Sequence, residues 1–229
     1  MKITAVIGSP SRNGNTAVLA RAALEAARSE GADTEEIVLS EHHIEYCRGC
    51  MNCMRTGTCL IEDEAFALRD KLYASDGIIL ASPSYGIQMT ARMKNFLVDR
   101  IGMFTVYTSS FGGKYFVGIS TAGGIGAKKV ARTLAEEYAA GFFRRGYISG
   151  SLGILRGHGR VEDVPGALEQ SRALGRRLAS DIEEGQTYPF QCLGRRLITR
   201  FVVRPMILKN IRQNKDGTLK AVWETIMSL

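Results

Sequence analysis

Five short apolar runs, each followed by a loop and then a helical pattern, alternate along the first 185 residues of this 229-residue chain. The runs are rich in valine, isoleucine and leucine, which is typical of strands buried on both faces of a sheet. Parallel strands need a crossover connection of about a dozen residues or more, and the helical patterns supply it. The alternation therefore predicts an α/β fold with five parallel strands and helices on both faces. Strands are predicted at residues 2–7, 34–39, 77–81, 115–120 and 147–154, and one of the helices at residues 87–100.

The C-terminal part of the chain differs from the rest in pattern and in charge. The alternation ends near residue 188, which divides the chain into a domain of residues 1–188 and an extension of residues 189–229. Of the net charge of +7, the extension carries +6, through eight basic and two acidic residues. Arg196, Arg200 and Arg204 recur every four residues among apolar side chains, which is the pattern of a basic amphipathic helix.

We expect this helix to pack its apolar face on the domain or on a second subunit. Contact with a membrane surface is a weaker alternative for a basic amphipathic helix. Aromatic stacking groups are sparse in the extension and it contains no binding motif, so we expect no nucleic acid partner.

The composition predicts a cytoplasmic protein. The chain is 45% hydrophobic and 23% charged, as in ordinary soluble domains. No apolar run approaches the roughly 18 residues of a membrane span. The apolar stretch at residues 3–7 is too short for a signal peptide.

The loop after the first predicted strand suits a phosphate group. It reads Gly-Ser-Pro-Ser-Arg-Asn-Gly-Asn-Thr at residues 8–16 and leads directly into a helix. Backbone N–H groups at a helix N-terminus, together with hydroxyl groups, bind anions. The loop lacks the lysine of a P-loop and the three glycines of the dinucleotide fingerprint. The alternative is that Asn15 or Thr16 only caps the helix.

Two further loops follow the third and fourth strands, at residues 82–86 and 121–126. In an open doubly wound sheet, ligands bind beyond the carboxyl ends of the strands, where the strand order reverses. Both loops could lay backbone amides and a flat side chain along a planar ring. Glycine-rich turns are common between strands and helices, so each loop alone is weak evidence for a ligand site. The coincidence of three such loops is stronger evidence for one.

Four of the five cysteines lie within one short segment of the chain. They are Cys47, Cys50, Cys53 and Cys59. In a reducing compartment this clustering favours a metal site or redox thiols over a disulfide framework. Four thiolates in one loop can hold a [4Fe-4S] cluster or a zinc ion, or they can remain free thiols. Cys192 stands alone and is predicted to be a small apolar residue.

Together these motifs resemble those of flavodoxin-like flavoproteins, in particular the NAD(P)H-dependent FMN reductases and the iron-sulfur flavoproteins. The resemblance covers roughly residues 1–185. It is carried by G-S-P-S-R-N-G-N-T at residues 8–16, S-P-S-Y-G at 82–86, M-K-N-F-L-V-D-R at 93–100 and T-A-G-G at 121–124. The C-x2-C-x2-C-x5-C array is similar to the compact motif of iron-sulfur flavoproteins, whose four cysteines bind one [4Fe-4S] cluster.

The resemblance implies a flavodoxin-like doubly wound sheet with a helical C-terminal extension. It also implies an FMN-dependent oxidoreductase or electron-transfer flavoprotein that passes electrons between NAD(P)H or a [4Fe-4S] cluster, FMN and a small acceptor. The flavin carries the chemistry in such proteins, so we assign no catalytic residue. A homodimer or tetramer, and a small molecule or redox protein as electron acceptor, are further expectations. The alternative is a flavodoxin-like binding module without a cluster, whose basic tail recruits a membrane or a protein partner.

The same resemblance assigns candidate site residues. The FMN phosphate would be surrounded by Ser9, Ser11, Asn13, Asn15 and Thr16. The isoalloxazine ring would be bordered by Pro83, Ser84, Tyr85, Gly86 and Ile87, and on its other edge by Thr121, Ala122, Gly123 and Gly124. The cluster ligands would be Cys47, Cys50, Cys53 and Cys59.

Overall fold

The computed structural model describes residues 1–137, 139 and 141–228, and its centre is one five-stranded parallel sheet. The strands lie in the order β2-β1-β3-β4-β5, so the strand order reverses at β1. They are β1 Lys2–Ile7, β2 Asp33–Val38, β3 Gly77–Ala81, β4 Tyr115–Ala122 and β5 Tyr147–Leu155. The predicted α/β fold with five parallel strands is confirmed.

Helices cover both faces of this sheet. In the domain they are α1 Asn15–Ser29, α2 Asn52–Thr56, α3 Ala65–Tyr73, α4 Ala91–Lys94, α5 Gly102–Thr108, α6 Ala127–Glu136 and α7 Ala167–Glu183. Helices α1 and α7 pack on one face, and α3, α4 and α6 pack on the other. The contact between α1 and α7 is close, because a Cβ atom on Gly175 would lie 1.9 Å from the carbonyl oxygen of Ala23.

The segment after β3 differs from the prediction of one helix over residues 87–100. Helix α4 begins only at Ala91, and Thr90 caps it by accepting a hydrogen bond from the Met93 N–H. A π-helical turn, Asn95–Arg100, continues it. The prediction is wrong for the first residues because Tyr85 and Gln88 close a tight turn ahead of the helix.

The C-terminal extension is helical, with α8 Leu193–Ile198, a π-helical turn Thr199–Val203, α9 Arg204–Asn214 and α10 Lys220–Met227. Its second half packs on the domain, where Ile211 and Val222 share an apolar cluster with Met54 of α2 and Phe104 of α5. Its first half is different, since α8 and the π-helical turn bury no side chain. The expected packing on the domain therefore holds for the second half, and in the first half for Val203, which is half-buried against the same cluster.

In the part of the chain that the structure describes, no helix combines the length and the apolar character that crossing a bilayer requires.

Candidate functional site

Three loops meet at the carboxyl edge of the sheet, beside β1, β3 and β4. The Gly8 N–H donates to the Ala81 carbonyl oxygen over 2.8 Å, and the Ser84 N–H donates to the Thr121 carbonyl oxygen over 2.9 Å. The hydroxyl oxygens of Thr16 and Thr121 lie 2.6 Å apart. The loops after β1, β3 and β4 therefore form one connected site next to the reversal of strand order, where a doubly wound sheet binds its ligand.

The N-terminus of α1 is open at this edge. Gly14 occupies the N-cap position, no side chain caps the helix, and its first turn contains no acidic residue. The Val18 N–H donates to the Gly14 carbonyl oxygen, so the three preceding N–H groups have no acceptor within the helix. These N–H groups and the positive end of the helix dipole favour an anion. The alternative that Asn15 or Thr16 merely caps the helix does not hold here.

Three of the residues assigned to the phosphate already have protein partners. Asn15 accepts a hydrogen bond from the Val161 N–H at 2.7 Å, and Asn13 accepts one from the Arg21 guanidinium at 3.1 Å. Thr16 is buried in the hydroxyl pair described above. In this structure these three side chains anchor the loop and the helix.

Ser9 and Ser11 are placed differently. The Ser9 hydroxyl is buried in the loop and accepts a hydrogen bond from the Ser11 N–H at 3.2 Å. The Ser11 side chain is exposed at the mouth of the loop. Both hydroxyl groups keep a proton to donate, so they could bind an anion together with the free N–H groups of α1.

The loop after β3 ends in the tight turn between Tyr85 and Gln88. Its central residues are Gly86, with φ of 56°, and Ile87, with φ of 63°. Positive φ at both positions is the pattern of a type I′ turn. A β-branched residue rarely adopts it, and such strain concentrates at ligand sites. The turn presents the Tyr85 ring, which is 58% exposed, beside the site.

Ser84 and Gly126 mark the place where the loops after β3 and β4 touch. The Ser84 hydroxyl oxygen is buried and has no hydrogen-bond partner. A Cβ atom on Gly126, whose φ is 91°, would lie 2.7 Å from that oxygen and 3.1 Å from the Ile87 Cα. Glycine is therefore required here. An unpartnered buried hydroxyl and a cradle this narrow fit a site that a planar ligand completes.

The other residues assigned to the isoalloxazine ring belong to the end of β4 and the loop that follows it. Thr121 and Ala122 end β4 and are buried, whereas Gly123 and Gly124 are exposed. Ile125 belongs to the predicted loop at residues 121–126 but was not assigned to the ring, and it is 69% exposed next to these glycines. The signal for it was its position between the last glycines before α6.

The four-cysteine segment, residues 47–59, follows β2 and contains α2. Cys47 and Cys50 are exposed, and Cys53 and Cys59 are half-buried. The Gly49 N–H points to the Cys47 sulfur at 3.4 Å, and the Ile61 N–H to the Cys59 sulfur at the same distance. N–H groups directed at sulfur are a feature of iron-sulfur ligation.

The four thiols also influence one another electrostatically. Burial raises the pKa of the Cys53 thiol, and the negative charges of Cys59, Cys47 and Cys50 raise it further. Among residues 1–137, 139 and 141–228, no three His, Cys, Asp or Glu side chains are arranged around a point that could hold one metal ion. The four thiols are close together in the sequence, and N–H groups are directed at two of them, Cys47 and Cys59. Cysteine thiolates are the side chains that could hold an iron-sulfur cluster or a zinc ion.

Comparison with known proteins agrees with this geometry. The profile of the family described as NADPH-dependent FMN reductase matches residues 1–151. The chain belongs to this family. An iron-sulfur flavoprotein of Archaeoglobus fulgidus is 32% identical over 185 residues, which cover 80% of this chain and 81% of the relative. The predicted family is thus confirmed.

Two other comparisons bear on the fold and on the extension. An iron-sulfur flavoprotein of Clostridioides difficile is 27% identical over 230 residues, which cover 94% of this chain and 95% of the relative, so the similarity reaches into the extension. A flavodoxin from the domain Archaea superimposes with a TM-score of 0.55 at 18% identity, covering 80% of this chain and 99% of that one. The fold is flavodoxin-like, and family membership supports FMN as cofactor and a flavin oxidoreductase as the class of protein.

Proposed function

We propose that this protein transfers electrons from NAD(P)H through FMN to a small acceptor, with a [4Fe-4S] cluster on the four-cysteine segment as the electron partner of FMN. The observation that carries the proposal is the convergence of the uncapped α1 and two ring-bordering loops at one sheet edge. The family description names NADPH, and the relatives are named iron-sulfur flavoproteins, which supports the donor and the cluster.

Different residues of the site would bind different parts of FMN. When bound, FMN supplies hydride and single-electron transfer, which protein side chains do not. The α1 N-terminus, with the Ser9 and Ser11 hydroxyls, would hold the phosphate. The turn with Tyr85 and Ile87 would cover one side of the ring, and the Ser84 hydroxyl would donate a hydrogen bond to it.

An ion pair joins this site to the connection between β2 and the four-cysteine segment. Arg12 of the loop after β1 forms an ion pair with Glu41 at 2.5 Å, and Glu41 lies between β2 and the first cysteine. Because β2 is parallel to β1 and ends level with it, the connection that leads to the segment starts at the carboxyl edge of the sheet, next to the loop after β1. This placement supports electron exchange between a cluster there and the flavin.

Anaerobic titration of the FMN-loaded protein with NADPH and with NADH tests the proposal. We expect either nicotinamide to bleach the flavin absorbance stoichiometrically. The Cys53→Ser variant should lose iron. It should still bind FMN, and nicotinamide should still bleach that FMN, because Cys53 lies outside the three loops. Cys192→Ser changes a cysteine away from the segment and serves as the control. If neither nicotinamide bleaches the flavin but a strong chemical reductant does, the protein is an electron carrier and the proposed donor is wrong.

A specific observation favours a second role, recruitment to an acidic surface by residues 193–206 of the extension, which are α8, the π-helical turn and the start of α9. Their exposed apolar side chains are Leu193, Leu197, Ile198, Phe201, Val202 and Met206. Between residues 189 and 215 the chain has seven basic and no acidic residues. We propose that this helix docks on an anionic membrane surface, which would satisfy both its apolar and its basic side chains.

Vesicle sedimentation tests this second role. The wild-type protein should co-sediment with vesicles of phosphatidylcholine containing phosphatidylglycerol and not with phosphatidylcholine alone. Phe201→Glu should abolish binding, whereas Glu224→Gln, on α10, should not. Absence of binding together with a dimer or tetramer mass that Phe201→Glu dissociates would assign the helix to a subunit interface instead.

A further inference from the structure

The π-helical turn Asn95–Arg100 directs two side chains at the backbone just before the four-cysteine segment. The Ile101 N–H donates to the Phe96 carbonyl oxygen over 3.2 Å, a hydrogen bond that spans five residues. This spacing brings Asn95 and Arg100, also five apart, to the same side of the helix. Both donate to the Glu45 carbonyl oxygen, Asn95 over 3.3 Å and Arg100 over 2.7 Å. The turn thus holds the backbone two residues before the first cysteine.

Arg100 reaches the other end of the segment as well. Its Nη2 donates to the Asp63 Oδ1 at 2.9 Å and to the Cys59 sulfur at 3.5 Å, and its Nη1 also contacts Asp63. The side chains of Arg100 and Asp63 are each 1% exposed. One guanidinium therefore ties both ends of the four-cysteine segment together and contacts one of its sulfurs.

This guanidinium keeps its charge despite its burial. An arginine side chain stays protonated in proteins, and here the Asp63 carboxylate and the Cys59 sulfur accept its hydrogen bonds. Burial raises the pKa of the Asp63 carboxyl group, but the hydrogen bonds from Arg100 and from the Glu45 and Ala65 N–H groups together hold it below its ordinary value, so Asp63 is ionised. A fixed cation thus lies beside the Cys59 sulfur.

We propose that Arg100 is a positioning residue that raises the reduction potential of a cluster held by the four cysteines; this inference rests on the proposed function. Reduction adds one electron to the cluster, with no bond made or broken and no proton transferred. The added negative charge is stabilised by a nearby cation and by N–H groups directed at sulfur, more strongly in a water-poor site than in bulk water.

The test compares two variants that both lack the Asp63 charge, because removing Arg100 alone would leave a buried carboxylate unpaired. In Asp63→Asn the cation remains beside Cys59, and in Asp63→Asn with Arg100→Gln it is absent. Potentiometric titration of each, followed by electron paramagnetic resonance of the cluster, should show a more negative midpoint in the double variant. We expect about a tenfold shift in the ratio of reduced to oxidised cluster, which is about 59 mV for one electron.

Two controls separate tuning from a structural effect. Arg92→Gln removes a guanidinium from the same helical segment, where it donates to the Leu39 carbonyl oxygen and not to a sulfur, and should leave the midpoint unchanged. The flavin midpoint and the iron content should be equal in both Asp63 variants. Equal cluster midpoints would overturn the inference, and loss of iron from the double variant alone would reduce Arg100 to a structural role. Absence of iron and sulfide from the wild-type protein would instead overturn the proposed cluster itself.

Discussion

Gly14→Asp is expected to weaken FMN binding about a hundredfold relative to Gly14→Asn, which crowds the loop equally but carries no charge. Gly14 has φ of −73° and ψ of 162°, a conformation open to any residue. Aspartate at this N-cap position would accept hydrogen bonds from the free N–H groups of α1, a change of at most about 1 kcal/mol in favour of folding. The same carboxylate would lie where we place the FMN phosphate. About 3 kcal/mol of repulsion corresponds to a hundredfold rise in Kd.

Gly14→Asn is the matched control, since it has the same shape and no charge. A Cβ atom at this position would lie 3.1 Å from the Ser9 hydroxyl oxygen and 3.2 Å from the Ser11 Cβ, so both variants crowd the loop equally. Fluorescence titration should show weak FMN binding only for the aspartate variant. Riboflavin, which lacks the phosphate, should bind both variants alike. Equal FMN affinities for the two variants would show that the phosphate does not lie at the α1 N-terminus.

The second large effect is on stability, and it concerns Arg100. Arg100→Met should lower the free energy of unfolding by about 3–5 kcal/mol, because it leaves the Asp63 carboxylate buried without its partner. The loss should depend on pH. Since Arg100 holds the pKa of Asp63 below its ordinary value of 3.8, the stabilisation is complete above that value and disappears as the pH falls through the lower, folded-state pKa.

Urea unfolding of three variants measures this effect. Arg100→Met combined with Asp63→Leu should recover part of the lost stability, because no buried carboxylate is left unpaired, although the Glu45 and Ala65 N–H groups lose their acceptor. Lys2→Met removes the cation of an ion pair with Glu35. The side chains of Lys2 and Glu35 are 32% and 27% exposed, so this variant should lose less than about 1 kcal/mol of the free energy of unfolding. An Arg100→Met variant no less stable than Lys2→Met would contradict the account of the buried pair.

The fold could be predicted from the sequence because its signals are local. Alternating apolar runs and helical patterns fix the class of sheet, and the loops rich in glycine and serine follow directly from where the strands end. The hydroxyl pair of Thr16 and Thr121 could not be predicted, because it joins residues 105 positions apart. The turn at Ile87 could not be predicted for another reason. A β-branched residue has a low intrinsic preference for positive φ, so its sequence argues against such a turn.

The surroundings of the four-cysteine segment were likewise beyond sequence reasoning. The spacing of the cysteines gives a donor set, but not the guanidinium of Arg100, which reaches Cys59 from 41 positions further along the chain. Nor does the basic pattern of the extension show that α10 packs against α2. That contact is made by ordinary apolar side chains such as Met54 and Val222, which carry no distinctive sequence signal.

The central claim, an FMN protein with a cluster on its four-cysteine segment, is tested most directly on protein purified without oxygen. The measurement is an absorption spectrum combined with iron, sulfide and zinc analysis of the same sample. We predict the flavin bands, a broad iron-sulfur absorbance overlapping them, and about four irons and four sulfides for each FMN. Flavin bands without iron would contradict the cluster, and a colourless protein that fails to take up added FMN would contradict the account as a whole.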